Sequence, residues 1–565
     1  MIELLEMRAA LAPSDIALRF LSDRGKVEAE LSFASLRARA MAVAEDLVAR
    51  GAKPCDRAIL AFPPGLEFLI AWFGCLYANV IAVPMMPPRR ASARDSSENI
   101  IGDCKPRFGF TSQSFVIRDE MIARFAEYAI DWILLDIDTT HEPVGNKLPA
   151  PAPGDIAFLQ YTSGSTASPK GVMVSHADLI ANLDMIRIGF GNGPQSTYVS
   201  WVPLFHDMGL ILNVLEAIYI GAPCVLVSPV SFLQRPLVWL RAISDFKAEV
   251  AGGPNFAFDH CVSRFQAKQM EGVDLSSWKV AINAAEPVRA GTLQRFTETF
   301  APYGFDAHAF YPCYGMAEAT VWMTGGTRWQ DVKIKKVSKA GLQGLKIGAP
   351  VDDADAQSVV GCGLAGIGSK IAIVDPETMA RLPAGRIGEI WGRGPHIAQG
   401  YWEKPEATSE TFGAMISDET EGPWLRTGDL GFLDEDGEIY IAGRIKDIII
   451  IRGRNYYPQD IEHTVQLTDE ALRPGFGAAF TIIAADEQEK LVIVQEVERT
   501  QRHRADLPDI AGNVREAVAE AHDLAVHCII LVPPGVVPKT TSGKIQRRLT
   551  RQLWQDGALD ILHQL

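Results

Sequence analysis

A short hydroxyl-rich segment carries the clearest chemistry in the chain. Residues 161–171 read Tyr-Thr-Ser-Gly-Ser-Thr-Ala-Ser-Pro-Lys-Gly and follow the apolar run Ile156–Gln160. A loop of this kind after a buried strand offers backbone N–H groups and hydroxyls together, which is a cradle for phosphate. Its lysine stands in Pro-Lys-Gly order, not Gly-Lys-Ser/Thr, so the spacing disfavours a P-loop kinase or GTPase. A second pattern, Gly361-Cys-Gly-Leu-Ala-Gly366, matches the dinucleotide fingerprint by letter only. The strand-like Ser369–Val374 follows it where that fingerprint requires a helix, so a Rossmann site is rejected. Between Lys539 and Arg551 stand five basic residues and no acid. A solvated face accounts for the arginines as well as a site does, whereas Lys544 is framed by Ser542 and Gly543 in a turn that would present it.

These residues need a large scaffold. The chain has 565 residues, 47% hydrophobic and 22% charged, which predicts three or four domains or subdomains with a substantial core and excludes a disordered or fibrous protein. A formal net charge of −15 argues against nucleic-acid binding through overall charge. The eight cysteines are scattered without a CxxC pair, so neither zinc nor a disulfide framework is indicated and a reducing compartment fits. The acidic start of the chain is not a secretory signal, and the apolar stretch Phe68–Val83 runs into Pro84 too soon for a membrane span. It reads as a buried helix followed by a strand. A soluble cytoplasmic protein without a transmembrane segment is expected.

Between about residues 30 and 300, helical periods alternate with short apolar runs at Arg57–Phe62, Val80–Val83, Ile156–Tyr161, Cys224–Val227 and Val280–Asn283, a pattern of α/β architecture with largely parallel sheets. Residues 360–445 carry short strands at Ser369–Val374, Gly388–Trp391 and Glu438–Ala442 and predict an antiparallel or barrel-like subdomain. A compact C-terminal segment then opens near Lys446, with strands at Ile448–Ile451, Phe480–Ala484 and Leu491–Val497 and helices at Gln459–Leu467 and Ile510–His522. Residues 325–358, polar and lysine-rich with no strong period, read as an insertion or linker.

Seven segments occur in an order that resembles the adenylate-forming superfamily: Tyr161–Gly171, Pro203-Leu-Phe-His-Asp-Met-Gly209, Ala285-Glu-Pro287, Tyr314-Gly-Met-Ala-Glu318, Thr427-Gly-Asp-Leu-Gly431, Gly443-Arg-Ile-Lys-Asp447 and Pro538-Lys-Thr-Thr-Ser-Gly-Lys544. Within it the chain most resembles the fatty acyl-AMP ligases, through Pro203–Ile211, Gly252–Asp259, Arg452–Glu462 and the extra residues between Glu318 and Gly388. The resemblance implies an α/β fold with a large N-terminal domain (1–445) of two α/β sheet subdomains plus a β-barrel-like subdomain. It also implies a small mobile α+β C-terminal domain (446–565) hinged at Lys446, and a family insertion near 325–358.

It implies roles as well. A carboxylate must attack the α-phosphate of ATP, and two anions repel, so Mg²⁺ and a mobile cation have to spread the developing charge. Glu318 and Thr162 would hold Mg²⁺, and Lys544 would reach the α-phosphate and the substrate carboxylate. The loop residues Thr162, Ser163, Gly164, Ser165, Thr166 and Lys170 would bind the phosphates. Tyr314 would stack on adenine, flanked by Gly315, Met316 and Ala317, with Ala284, Ala285, Glu286 and Pro287 on the other side. Asp429 would accept from the ribose hydroxyls and Arg444 would donate to ribose or phosphate. His206 would position the acyl carboxylate, while His260, His396 and His463 are read as structural. Apolar candidates for the acyl pocket converge on Trp201, Phe205, Met208, Asn255 and Phe256.

The implied activity is conversion of a fatty acid with ATP to an acyl-adenylate, then acyl transfer to the phosphopantetheine thiol of a holo acyl carrier protein. An acyl-CoA synthetase is the alternative, and a catalytically degenerate nucleotide-binding protein the second. The segment 325–358 is expected to brace the C-terminal domain, and Arg502, Arg504, Arg547, Arg548 and Arg551 to form a basic cluster facing an acidic carrier protein.

Overall fold

Two parallel sheets dominate the first 333 residues because their strands are apolar on both faces and alternate with helices that cover them. The computed structural model describes residues 1–88, 97–137, 148–162, 169–417, 419–451, 454–483, 489–540 and 543–565. One sheet has nine strands in the order Leu364–Ala365, Thr324–Gly325, Phe310–Tyr314, Val280–Ala284, Val250–Pro254, Tyr198–Ser200, Cys224–Val227, Ile16–Leu21 and Val27–Ser32. Its interior pairings are parallel and its outer ones antiparallel. The other has six strands, ordered Asp131–Leu134, Phe108–Thr111, Arg57–Leu60, Ile81–Pro84, Ile156–Thr162 and Lys170–Ser175, and only the last pair is antiparallel.

Local sequence sets the helices. Glu67–Tyr77 is apolar all round after its first residue, and each residue from Phe68 to Tyr77 is buried, as a helix hydrophobic on every side must be. Gly74 lets it lie close on the helix Phe33–Ala49, since a Cβ there would come 2.4 Å from a Val43 methyl. The helix His176–Phe190 starts at a capping box between Ser175 and Asp178 and stops at Gly191, which turns left-handed at φ 60°. No helix among the described residues is long and apolar enough to cross a membrane.

Contacts divide the chain into two compact units. The first comprises Met1–Lys333, Val360–Ala372 and Trp391–Thr427, and the second Ile334–Val359, Ile373–Ile390 and Gly428–Leu565. A four-stranded sheet has the order Lys370–Val374, Gly388–Arg393, Leu425–Leu433 and Ile439–Arg444. The second unit also has a four-stranded sheet in the order Leu472–Ile483, Glu489–Val497, Val526–Val532 and His563–Gln564, with helices Pro458–Gln466 and Leu507–His522. Ala484, the expected end of one strand, lies outside the described residues. Lys446 falls inside this unit, just after the strand Ile439–Arg444.

Residues 325–358 are not a linker. They hold the strand Ile334–Ser338, the helix Lys339–Gln343 and most of the strand Ala356–Val360. Only Val337 and Leu342 need burial for this, and both pack with Ile387, Leu430, Phe432, Tyr440 and Tyr457. Apolar residues scattered among lysines and glycines leave no strong period, so the signal appears only when the partners are in place. The segment also braces the C-terminal part of its unit: Asn455 Nδ2 donates to the Gln343 carbonyl at 3.1 Å, and Gln357 Nε2 to Asp460 Oδ2 at 3.0 Å.

Buried histidines give the fold a pH dependence. His396 is 1% exposed, neither ring nitrogen has a hydrogen-bond partner among the described residues, and burial pushes its pKa down to about 4. Burial lowers His176 to about 4 as well, and His260 and His522 move the same way. Between about pH 6.5, where an unfolded histidine titrates, and pH 4, the unfolded chain binds the extra protons, so their contribution is complete above that window and is lost as pH falls. Denaturation midpoints are expected to drop from pH 7.5 to pH 5, and the drop should shrink in His396→Leu; an equal drop in the variant would show that His396 is not its source.

Candidate active site

The expected site residues of the first unit gather at the carboxyl ends of neighbouring strands. Trp201 follows Tyr198–Ser200, Asn255 follows Val250–Pro254, Ala285 follows Val280–Ala284, and Gly315 follows Phe310–Tyr314; these four strands are adjacent in the nine-stranded sheet. In α/β sheets ligands bind beyond these strand ends, where loops face outward and helices begin.

The phosphate loop is pinned at both ends. Thr162 and Lys170 face each other as the last cross-strand pair of Ile156–Thr162 and Lys170–Ser175; Ser163, Gly164, Ser165 and Thr166 lie outside the described residues. Residues 399–402 are laid along the second of these strands. Met173 N donates to the Gly400 carbonyl, Gln399 N to Met173 and Trp402 N to Gly171, all at 2.8–2.9 Å, around a bridge between Val172 and Tyr401. Lys170 Nζ lies over the Tyr401 ring, 4.5 Å from its centroid, and Tyr401 Oη donates to Glu318 Oε1 at 2.8 Å. Behind the loop, Tyr161 Oη donates to Asp103 Oδ2 at 2.7 Å, and Lys404 pairs with the same carboxylate.

Glu318 sits in the short turn Ala317–Ala319 after Tyr314 and is buried at 8% exposure. The turn is obligatory at Gly315, where a Cβ would stand 1.8 Å from the Val321 carbonyl oxygen. It closes at Thr320, held left-handed at φ 64° by a bond from its Oγ1 to the His396 carbonyl at 2.7 Å. Tyr314 ends its strand nearly buried. The neighbouring segment at Ala284–Pro287 turns through Ala285 at φ 67°, and Glu286 accepts from Phe256 N at 2.5 Å. The buried carboxylate of Glu318 supplies hard oxygen donors, and Mg²⁺ takes one or two such protein ligands and fills its shell with phosphate and water. The donor set therefore fits Mg²⁺, although no group of three His, Cys, Asp or Glu among the described residues could hold a metal alone.

His206 lies in the turn after Trp201-Val202. Its Nδ1 is 2.6 Å from Asp207 Oδ1 and 3.3 Å from Met208 N. Asp207 caps the π-helix Met208–Leu215 through Met208 N at 2.7 Å, a geometry concentrated at functional sites. Gly209 permits this turn, because a Cβ would meet the Pro203 carbonyl at 2.2 Å.

The acyl candidates separate. Trp201 stacks on Phe232 with centroids 3.8 Å apart and meets the Phe256 ring edge-on at 5.9 Å, making an aromatic wall with Gly253 against its indole. Met208 is buried and Phe205 half-buried. Asn255 is engaged elsewhere: its side chain bonds Thr292 Oγ1 at 3.1 Å, Asn283 Nδ2 at 3.3 Å and Arg289 N at 3.1 Å, bracing three segments.

In the second unit, Asp429 and Arg444 are cross-strand partners, and Arg444 Nε donates to Asp429 Oδ1 at 2.7 Å. Pairing directly opposite on adjacent strands orients both side chains. Lys544 is exposed on a tight hairpin in which Thr540 N donates to the Lys544 carbonyl at 2.7 Å and Gly543, left-handed at φ 83°, donates to Thr540 at 2.9 Å.

The five arginines are not one basic surface. Arg547, half-buried, lies between Glu462, at 2.7 Å to each oxygen, and Asp447 at 3.0 Å. Burial alone would lower its pKa, but the two carboxylates outweigh it and raise it. Arg504 pairs with Asp506 at 2.7 Å and Asp469 at 3.2 Å, whereas Arg548 and Arg551 are exposed. The basic run hid the pairing of Arg547 because Glu462 and Asp447 lie 85 and 100 residues away in sequence. Tyr401 was likewise missed; its one signal was the aromatic pair after Gly400. Arg547→Met leaves two half-buried acids facing an apolar chain and is expected to cost about 1–3 kcal/mol, read as a lowered denaturation midpoint; an unchanged midpoint would show the pair to be incidental.

Comparison with known proteins agrees with this arrangement. Residues 5–402 match the AMP-binding enzyme family, and residues 446–564 match the AMP domain of Disco-interacting protein 2-like proteins. The medium-chain-fatty-acid–[acyl-carrier-protein] ligase JamA of Moorena producens is 41% identical over 99% of this chain and 96% of its own. The long-chain-fatty-acid–AMP ligase FadD26 of Mycobacterium marinum is 37% identical over 96% of this chain and 95% of its own. The crystal structure of the fatty acyl-adenylate ligase from L. pneumophila, in complex with acyl adenylate and pyrophosphate, superposes with a TM-score of 0.76 at 38% identity, over 100% of this chain and 97% of that one. The chain belongs to the AMP-binding enzyme family and is an AMP-forming ligase.

Proposed function

We propose that this protein is a fatty acyl-AMP ligase that charges an acyl carrier protein. The observation that carries the reading is that Thr162 and Lys170, paired at the edge of the six-stranded sheet, are linked through Tyr401 to the buried carboxylate of Glu318, which follows a strand of the nine-stranded sheet, with an aromatic wall at Trp201 and Phe256 after other strands of that sheet. The likeness to JamA and FadD26 supports the same substrate class.

In the first step a fatty carboxylate oxygen attacks the α-phosphorus of ATP, the bond to the β-phosphate oxygen breaks, and pyrophosphate leaves. Mg²⁺ bound at Glu318 and Thr162 would neutralise phosphate charge. Tyr314 and Ala284–Pro287 receive the adenine, with Gly315, Met316 and Ala317 at its edge. Asp429, oriented by Arg444, accepts from the ribose. His206 orients the fatty carboxylate, and Met208, Phe205, Trp201 and Phe256 surround the tail, each buried methylene contributing about 0.8 kcal/mol. Asn255 holds these walls together.

Lys544 supplies the cation for the α-phosphate. In the second step the phosphopantetheine sulfur attacks the acyl carbon, its proton is lost and AMP departs. We place a domain boundary at Lys446, with residues 1–445 and 446–565 on either side, and a rotation there between the two steps. Lys544→Ala is expected to lose about 10²-fold or more in pyrophosphate release; an unimpaired variant would end the assignment. Lys446→Pro restricts φ and should slow acyl transfer more than adenylation, and equal loss of both would make the residue merely structural.

The acceptor is tested with a fatty-acid chain-length series and either holo acyl carrier protein or CoA. Acyl carrier protein is expected to be the product, with transfer weakened by salt through charges such as Arg548 and Arg551. Equal formation of acyl-CoA would make the protein an acyl-CoA synthetase.

A further inference from the structure

We infer that Tyr401 is a positioning residue that holds the carboxylate of Glu318 and the loop cation Lys170 in one fixed assembly. The inference rests on the adenylation reading above, in which these two groups meet the metal and the phosphates. Tyr401 acts through them and needs no contact with substrate.

Three observations carry it. Tyr401 Oη donates to Glu318 Oε1 at 2.8 Å, and Glu318 is itself buried. The ring face of the same side chain takes Lys170 Nζ at 4.5 Å from its centroid. The backbone that carries it is fastened on both sides: residues 399–402 are zipped to Gly171–Met173, and Tyr401 N donates to Thr408 Oγ1 at 2.9 Å. At 5% exposure and edge-on to Phe412, 5.3 Å away, the ring has little freedom to turn.

The two contacts reinforce one another. A phenol that donates its O–H to a carboxylate becomes richer in ring electron density, which strengthens attraction of an ammonium over the ring face. The O–H in turn sets the plane of the carboxylate, so a metal arriving with ATP meets a ligand already oriented. Partners of this kind behind a metal-binding group typically govern affinity by about 10–100-fold. Glu318 also donates no freedom through its main chain, because its carbonyl accepts from Ala398 N at 3.0 Å, three residues before Tyr401.

The test compares Tyr401→Phe, Tyr401→Leu and Glu318→Gln in the full chain. Tyr401→Phe keeps the ring under Lys170 and removes only the O–H. It is expected to raise the Mg²⁺ concentration for half-maximal pyrophosphate release by about tenfold while leaving the KM for ATP at saturating Mg²⁺ within about twofold. Calorimetric titration of Mg²⁺ into protein holding a non-hydrolysable ATP analogue should show the same weakening without turnover. Tyr401→Leu loses the ring as well and should raise the KM for ATP in addition. If Tyr401→Phe needs no more Mg²⁺ than the parent while Glu318→Gln needs much more, this inference is overturned and the adenylation reading stands. If Glu318→Gln is also indifferent to Mg²⁺, the metal-binding role of Glu318 falls, and this inference with it.

Discussion

The site depends on one antiparallel pairing in an otherwise parallel sheet. Strands Ile156–Thr162 and Lys170–Ser175 run in opposite directions, so the chain that leaves the carboxyl edge of the sheet returns to the same edge within a few residues. A parallel connection would have to cross over through a helix and could not keep both ends of the loop together. The reversal places a hydroxyl and a cation opposite each other where the loop begins and ends. It also leaves the outer side of Lys170–Ser175 to be covered by residues 399–402, which bring the Tyr401 ring under Lys170. A change in that register by one residue would move Lys170 to the other face of the strand.

In the second unit, charge pairing does the corresponding work. Lys446 is bracketed by two ion pairs, Arg444 with Asp429 before it and Asp447 with Arg547 after it. Arg547 starts the helix Arg547–Gln555, three residues beyond Lys544. A hinge at Lys446 would therefore move the lysine hairpin as a body with Asp447 and the helix Pro458–Gln466, which carries Glu462. Half-burial of Arg547 is tolerable because two carboxylates neutralise it, whereas Lys544 is exposed.

A cation that must be absent in one step and present in the next cannot be part of a rigid core. The sequence reflects this division. Thr162 and Lys170, proposed to meet phosphate and metal, lie at the ends of strands, and Glu318 just after one, where packing restrains them. The group assigned to move lies on a hairpin closed by only a few main-chain bonds and a left-handed glycine.

The order of motifs and the alternation of strands and helices were legible in the sequence, and Glu318, Lys544, Asp429 and Arg444 were singled out from it. Each depends on local spacing or on a residue type that its chemistry demands. Strands such as Cys224–Val227 and Val280–Asn283 were placed to within a residue because apolar runs between turn residues have few other readings. Tertiary structure alone decided what depends on partners distant in sequence. It turned residues 325–358 from apparent linker into strands and a helix by supplying Tyr457 and Phe432 as packing partners for Val337 and Leu342. It removed Arg547 and Arg504 from the apparent basic surface by pairing them with acids, and gave Asn255 a bracing role in place of a lining one. It joined Tyr401 to Glu318 across 83 residues. Charge and periodicity report a residue's own preference, but a contact is the preference of two, and the second residue is known only once the chain has closed on itself.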